Sequence, residues 1–184
     1  NLSELADLFV TINGSDIKAD QINFYSLEGK MARVGMITSM TTVTISELPW
    51  FNDTLLLGGK KMIGRPYATD TYSKSAKYSE WLISLYRAYS NQYGQIVGAI
   101  ETVKRCKSVF KSIISYQKGT KTDPASVYVF DEEGVLLFPY DWDSEQKEAA
   151  HIYYTQALQQ NSFLSGSGSF HNHNTQTKEY FCFE

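Results

Sequence analysis

Few side chains in this chain are spaced for covalent chemistry. His151, His171 and His173 are its only histidines. The last two stand in FHNHN at 170–174, and at i, i+2 on a strand they share a face. A metal site needs more ligands, and no cysteine or acidic cluster adjoins them, so a polar hairpin tip is the better reading. Asp131, Glu132 and Glu133 could pair for acid–base work, but they fall where a turn is expected, and turn chemistry accounts for them. No nucleophile elbow, phosphate-cradling glycine loop or HExxH pattern occurs. Neither an enzyme's catalytic set, nor a metal, nor a cofactor is expected here.

What the residues do offer is recognition. Trp50 and Phe51 precede a Gly-Gly pair, and Arg65 stands two residues before Tyr67. Trp81 and Tyr86 share one apolar run, and Glu101 lies on the run that follows. Aromatic walls with one cation and one anion suit a small polar metabolite, because stacking gives affinity and the charges orient it. The alternative is that these aromatics simply fill a small core, the commoner fate of such rings. With 13 tyrosines and 10 phenylalanines, the chain has rings enough for either use.

The elements that must position these residues read as hairpins with a few helices. Strands are expected at 22–26 and 31–37, joined at Glu28-Gly29. Ser46 then caps a helix with Pro49 in its first turn and Gly58 at its end. A strand at 61–65 leads into a polar, tyrosine-rich loop at 66–78. A long strand at 79–89 turns at Asn91–Gln95 and returns as 96–103. Alternation puts Trp81, Ile83, Leu85 and Arg87 on one face and Leu82, Ser84, Tyr86 and Ala88 on the other. A helix over 104–116 carries Val109, Phe110, Ile113 and Ile114 as its apolar stripe. QKGTKTDPA at 117–125 has linker composition. A helix at 144–160 and strands at 166–171 and 178–184 complete the chain, and Ser3 caps a short helix near the start.

One phrase is written twice. INFYSLEGKM at 22–31 and VYVFDEEGVL at 127–136 align with Gly29 on Gly134, each a strand entering an acidic turn with a glycine. The spacing is too long for a solenoid repeat, so two similar small domains in tandem are expected, 1–118 and 119–184. Hairpin dominance predicts an α+β fold, an antiparallel sheet with helices to one side.

A net charge of −3 over 184 residues gives no reason to expect nucleic acid, and the densest basic stretch, Lys104, Arg105, Lys107 and Lys111, reads as a solvated helix face. No run is apolar enough to span a bilayer and no signal peptide is recognisable. Asn1 at the start and EYFCFE at the end read as cuts from a longer chain. Cys106 and Cys182 are too few for a disulfide framework, and a bridge between them is disfavoured by their separate domains.

PWFNDTLLLGGKKMIGRPY, then EWLISLYRAYSNQYGQIVGAIETVKRCKSVFKSI, then VYVFDEEGVLLFPY, resemble in order and spacing the double Cache extracellular sensor domains of bacterial receptors, those of sensor histidine kinases above all. The resemblance covers about 22–140 well and the remainder loosely. It implies tandem PAS-like units, a long N-terminal helix that is mostly absent here, and a pocket in the membrane-distal unit, 1–118. Trp50, Phe51 and Tyr67 match the family's pocket walls. It further implies a small-molecule ligand, an extracellular or periplasmic location, membrane anchoring through segments outside this chain, a homodimer, and a kinase output elsewhere. A chemoreceptor or cyclase output is the alternative, as is a ligand-free structural or protein-interaction module. The arginine that clamps an amino acid in part of the family is replaced by Leu48, and its aspartate by Val103. The implied ligand is therefore not a free amino acid.

Overall fold

The computed structural model describes residues 19–71, 79–119, 126–160, 166–172 and 177–183. The chain divides after Gly119 into two compact units. The first holds β1 (Gln21–Ser26), β2 (Lys30–Gly35), β3 (Ser39–Thr42), α1 (Phe51–Leu56), β4 (Lys61–Ile63), β5 (Tyr67–Thr69), β6 (Glu80–Ser90), β7 (Ile96–Arg105), α2 (Cys106–Val109) and α3 (Lys111–Gly119). Its strands make one antiparallel sheet in the order β3-β2-β1-β7-β6-β4, with β5 also on β6. This is the α+β fold expected from the sequence.

Alternation sorts the sheet into two faces. Ile22, Phe24, Val34 and Ile100 cluster with Ala19 on one. Tyr25, Met31 and Ala99 pack under Phe51 of α1 on the other. Both faces bury apolar side chains, so the central strands β1, β7 and β6 sit in the middle of the core rather than at its edge. At Ser26↔Gly98 and Tyr89↔Gly98, β7 is pinched between its neighbours. A side chain at Gly98 would run into the Tyr25 carbonyl oxygen and the Tyr89 ring.

Several boundaries differ from the sequence reading, each for a local reason. Ser46 does not cap a helix. Ile45–Glu47 forms a 3-10 turn, and Leu48 is extended at φ −101°, ψ 93°. A residue before proline is driven out of the α region, so Pro49 postpones the helix to Phe51. β7 continues to Arg105, where a helix is expected. The Arg105 amide donates to Asp20 Oδ2 at 2.9 Å, and its guanidinium pairs with Asp20 and Glu80. The helix after it is broken at the buried Phe110, and its second half runs through Gly119, into what reads as linker. The short strands β3 and β5 have polar, loop-like sequences and are held by their neighbours, β2 and β6. The Ser3 helix and residues 72–78 and 120–125 lie outside the described residues.

The second unit contains β8 (Val129–Phe130), β9 (Leu136–Phe138), α4 (Ser144–Gln160), β10 (Gly166–Asn172) and β11 (Thr177–Phe183). Its strands form two separate antiparallel hairpins, β8-β9 and β10-β11. Asp143 and Gln146 cap α4 reciprocally: the Gln146 amide donates to Asp143 Oδ1 at 2.8 Å and the Asp143 amide to Gln146 Oε1 at 3.2 Å. Among the described residues no helix is long and apolar enough to cross a membrane.

The turn of the repeated phrase closes alike in both places, although the strand entering it has six residues in β1 and two in β8. Gly29 and Gly134 both sit at φ 78°. Ser26 Oγ accepts from the Glu28 and Lys30 amides, and Asp131 Oδ1 accepts from the Glu133 and Val135 amides. The glycine amide closes each turn onto the carbonyl of Ser26 or Asp131.

Two outcomes follow. Gly98→Ala should lose about 3 kcal/mol in urea unfolding, the upper end of overpacking costs, because a backbone oxygen cannot swing aside. Burial pushes the Cys106 thiol up to about 12, so at pH 8 it is fully protonated. Peptide-mapped iodoacetamide labelling at that pH should leave Cys106 unmodified in the native protein and label it in urea.

Candidate ligand-binding site

The α1-side face of the first sheet is unusual at its centre. Gln21 and Asn23 of β1, Ser84 of β6 and Glu101 of β7 are all buried there, Glu101 at 7% exposure and the others at 0–1%. Antiparallel register explains the gathering. Asn23 lies opposite Glu101, Glu101 opposite Tyr86, and Gln21 and Ser84 both lie opposite Val103. Directly opposed residues project from the same side of a sheet, so strand pairing alone brings these groups together.

Hydrogen bonds converge on one carboxylate. Glu101 Oε2 accepts from the Asn23 amide nitrogen at 2.8 Å and the Tyr25 hydroxyl at 2.7 Å, while Oε1 accepts from the Ser84 hydroxyl at 2.7 Å. Because Ser84 commits its one proton to Glu101, the Tyr67 hydroxyl, 3.2 Å from Ser84 Oγ, is the donor of that pair. Behind Asn23, Gln21 Nε2 donates to Asn23 Oδ1 at 3.0 Å. The Gln21 amide also bonds the Ile37 backbone both ways, donating to its carbonyl at 2.9 Å and accepting from its amide at 2.8 Å. Among the described residues the donors to Glu101 are all neutral. Arg33 shares its row on the sheet, opposite Asn23 on β2, but gives its Nε–H to Ser39 at 2.9 Å.

Aromatic rings close one end of this face. Trp50 stacks on Tyr86 with centroids 4.2 Å apart and meets the edge of Tyr25 at 5.1 Å, with Phe51 beneath at 5.7 Å. Gly64 borders the Tyr86 ring so closely that a Cβ there would stand 2.9 Å from it. Glycine at that position is what lets the ring lie flat.

Of the residues singled out from sequence, Trp50, Phe51, Tyr67, Tyr86 and Glu101 come to this one face. Two do not. Trp81 is an odd number of residues from Tyr86 along β6, lies opposite Ala68, and projects from the other side of the sheet. Arg65 is exposed in the segment between β4 and β5 and is not among the donors to Glu101. Gln21, Asn23, Tyr25 and Ser84 were missed. Their signal was the alternation in QINFYS, whose polar positions ordinarily mark a solvent face. Among the described residues no cluster of three or more histidine, cysteine or acidic side chains is placed to hold a metal ion. The groups gathered on this face can bind and orient a small molecule.

No protein-family model and no curated protein sequence matches the chain. Solved structures do. The sensory domain of the Campylobacter jejuni chemoreceptor Tlp3, with isoleucine bound, superposes with a TM-score of 0.54 at 11% identity, over 94% of this chain and 64% of that one. The ligand-binding domain of the Pseudomonas aeruginosa PAO1 amino acid chemoreceptor PctC, in complex with GABA, gives 0.55 at 10% identity over 98% and 73%. The extracellular domain of a protein described as a histidine kinase, rpHK1S-Z16, gives 0.58 at 10% identity over 97% and 70%. The chain thus has the fold of Cache-type extracellular sensor domains, as the sequence resemblance implied, and spans just under two thirds of the Tlp3 domain.

If the carboxylate organises this face, donors should matter in order of their closeness to it. Tyr25→Phe should cost about 1.5–3 kcal/mol in urea unfolding, the range for a hydrogen bond to a charged group. Tyr67→Phe, which removes a donor only to neutral Ser84, should cost about 0.5–1.5 kcal/mol. Equal losses, or a larger loss for Tyr67, would refute the ordering.

Proposed function

We propose that this chain is the ligand-sensing region of a membrane-bound receptor, held outside the cytoplasmic membrane. In this reading residues 1–118 form the membrane-distal, ligand-binding unit and 119–184 a smaller membrane-proximal one. The observation that carries it is the polar group at the centre of the first sheet. A face built for stability alone would place valine, isoleucine or leucine at Gln21, Asn23, Ser84 and Glu101, and local rules are broken in this way where function requires it. The shared fold with ligand-binding sensory domains supports the same reading.

The ligand is a small polar metabolite other than a free amino acid. Leu48 packs against the Tyr25–Phe51 cluster and Val103 is fully buried, so neither position offers a charged clamp. Trp50, Phe51, Tyr67 and Tyr86 form the walls, with Glu101 as the polar anchor. Binding favours one of two arrangements of this face, and its differential affinity for the two is the only energy available for signalling. The output is a histidine kinase in a homodimeric receptor, a role supported by the likeness to rpHK1S-Z16. A chemoreceptor output is the second reading, favoured by the likeness to Tlp3 and PctC.

Screening polar metabolites by thermal unfolding tests the sensor role. A ligand at a hundredfold its Kd adds about 2.7 kcal/mol, which for a chain of this size is a rise of roughly 5–10 °C in Tm. Trp50→Ala should abolish the response. Silence across a broad library would leave the closed Trp50–Tyr86 stack as plain core and the sensor reading without support.

A further inference from the structure

We infer that this site takes a planar ring compound, inserted between the rings of Trp50 and Tyr86. This rests on reading the α1-side face as the ligand site. The ground for it is the one flat contact in an otherwise edge-on cluster. Trp50 and Tyr86 lie 20° from parallel with centroids 4.2 Å apart. The neighbouring pairs meet at steep angles: Tyr25–Trp50 at 74°, Tyr25–Phe51 at 72° and Trp50–Phe51 at 57°, with centroids 5.1, 6.5 and 5.7 Å apart. Those are ordinary packing geometries for core rings. The Trp50–Tyr86 pair instead presents two broad faces to each other.

The two rings are held very differently. Tyr86 is buried on β6, between β4 and β7, and Gly64 borders its ring so closely that it has little room to yield. Trp50 is only half-buried, and among the described residues its indole N–H has no hydrogen-bond partner. Its backbone, by contrast, is fixed. The Trp50 carbonyl accepts from the Thr54 amide at 3.0 Å and the Thr54 hydroxyl at 2.8 Å, and Thr54 is fully buried. The indole therefore swings on its own side-chain bonds, away from a ring that stays in place, while α1 keeps its seat.

The shape of such a slot selects its occupant. One layer of atoms between two rings needs two contacts of about 3.5–4.0 Å, so the faces must part to about 7–8 Å. A flat ring fills that gap and restores on each side the stacking that the parting removes. A saturated ring is thicker and offers no π face, so it forces the walls wider and returns less. The polar row beside Tyr86 adds orientation more than affinity, because the Tyr25 and Ser84 hydroxyl protons are already committed to Glu101. Stacked and parted walls are also the two arrangements that a sensor needs, and a ring compound binds only the second.

The test sets flat rings against saturated partners on the intact chain, by calorimetry and thermal unfolding. Benzamide, nicotinamide, uracil, adenine and any planar hit of the metabolite screen form one set, cyclohexanecarboxamide and dihydrouracil the other. At least one flat ring should bind, and at least about tenfold more tightly than its saturated partner. Tyr86→Leu, which keeps apolar bulk and removes the face, should lose that binding, whereas Trp50→Phe, which keeps a face, should retain it. With Trp81→Phe and Trp142→Phe in place, Trp50 is the sole indole, and its emission should shift as the ring enters. Saturated rings binding as tightly as flat ones, an unchanged Trp50 emission on binding, or a metabolite screen whose hits contain no planar ring would overturn the inference and leave the sensor role standing. Silence from both sets, together with no hit in the screen, would remove both. If Tyr86→Leu does not melt cooperatively, the wild-type pairs and the Trp50 emission decide the matter alone.

Discussion

A carboxylate buried at the middle of a sheet is the constraint around which the first unit is arranged. Desolvating such a group costs several kcal/mol even after relaxation, and only well-aimed donors offset it. Glu101 obtains them from both neighbouring strands: Asn23 and Tyr25 on β1, and Ser84 on β6. No pair of these strands could slip by one residue without turning its donors to the opposite face. The acid therefore adds a second constraint to the apolar pattern. It selects one register for the central strands, and in doing so it fixes the position of every wall residue on that face.

The aromatic end of the face depends on the same register. Tyr86 stands opposite Glu101, and its ring lies between Trp50 and the bare edge of Gly64. Trp50 can reach it because Pro49 holds Leu48 extended and delays the start of α1. Had Ser46 capped the helix, Trp50 would lie inside the first turn, and its ring would leave at a different angle. On the opposite face of the sheet, β7 approaches its neighbours closely at Gly98, where the Tyr25 carbonyl oxygen and the Tyr89 ring leave no room for a side chain.

Much of this was legible in the sequence. The long β6-β7 hairpin announced itself through Asn91–Gln95, whose Asn91 side chain accepts from the Tyr93 and Gln95 amides as turn chemistry predicts. The α4 boundaries and the positive-φ glycines at 29, 58 and 134 were equally plain. Trp50, Phe51, Tyr86 and Glu101 stood out by type. Hidden from sequence were the effects that only pairing creates. QINFYS reads as a strand with a wet face, and nothing local shows that its polar positions turn inward to meet an acid 78 residues away. Trp81 attracted notice for its size, although alternation already set it opposite Tyr86. Strands β3 and β5 are too short and too polar to stand out in the sequence, and their pairing partners supply the stability.

The duplicated hairpin sharpens the case for a specialised first unit. At the offset that superimposes Gly29 on Gly134, Asn23 corresponds to Tyr128 and Tyr25 to Phe130. The turns are the same down to the side-chain oxygen that accepts two amides. What the strands present is not. Tyr128 stacks on Tyr153 of α4 at 4.8 Å and Phe130 meets Tyr154 at 5.5 Å, so the second hairpin spends these positions on ring packing against a helix. In the first hairpin the same two positions hold an amide and a phenol hydroxyl aimed at Glu101. A turn that recurs unchanged while the strand leading into it trades rings for donors shows that the turn serves the fold, and that the exchange serves the acid.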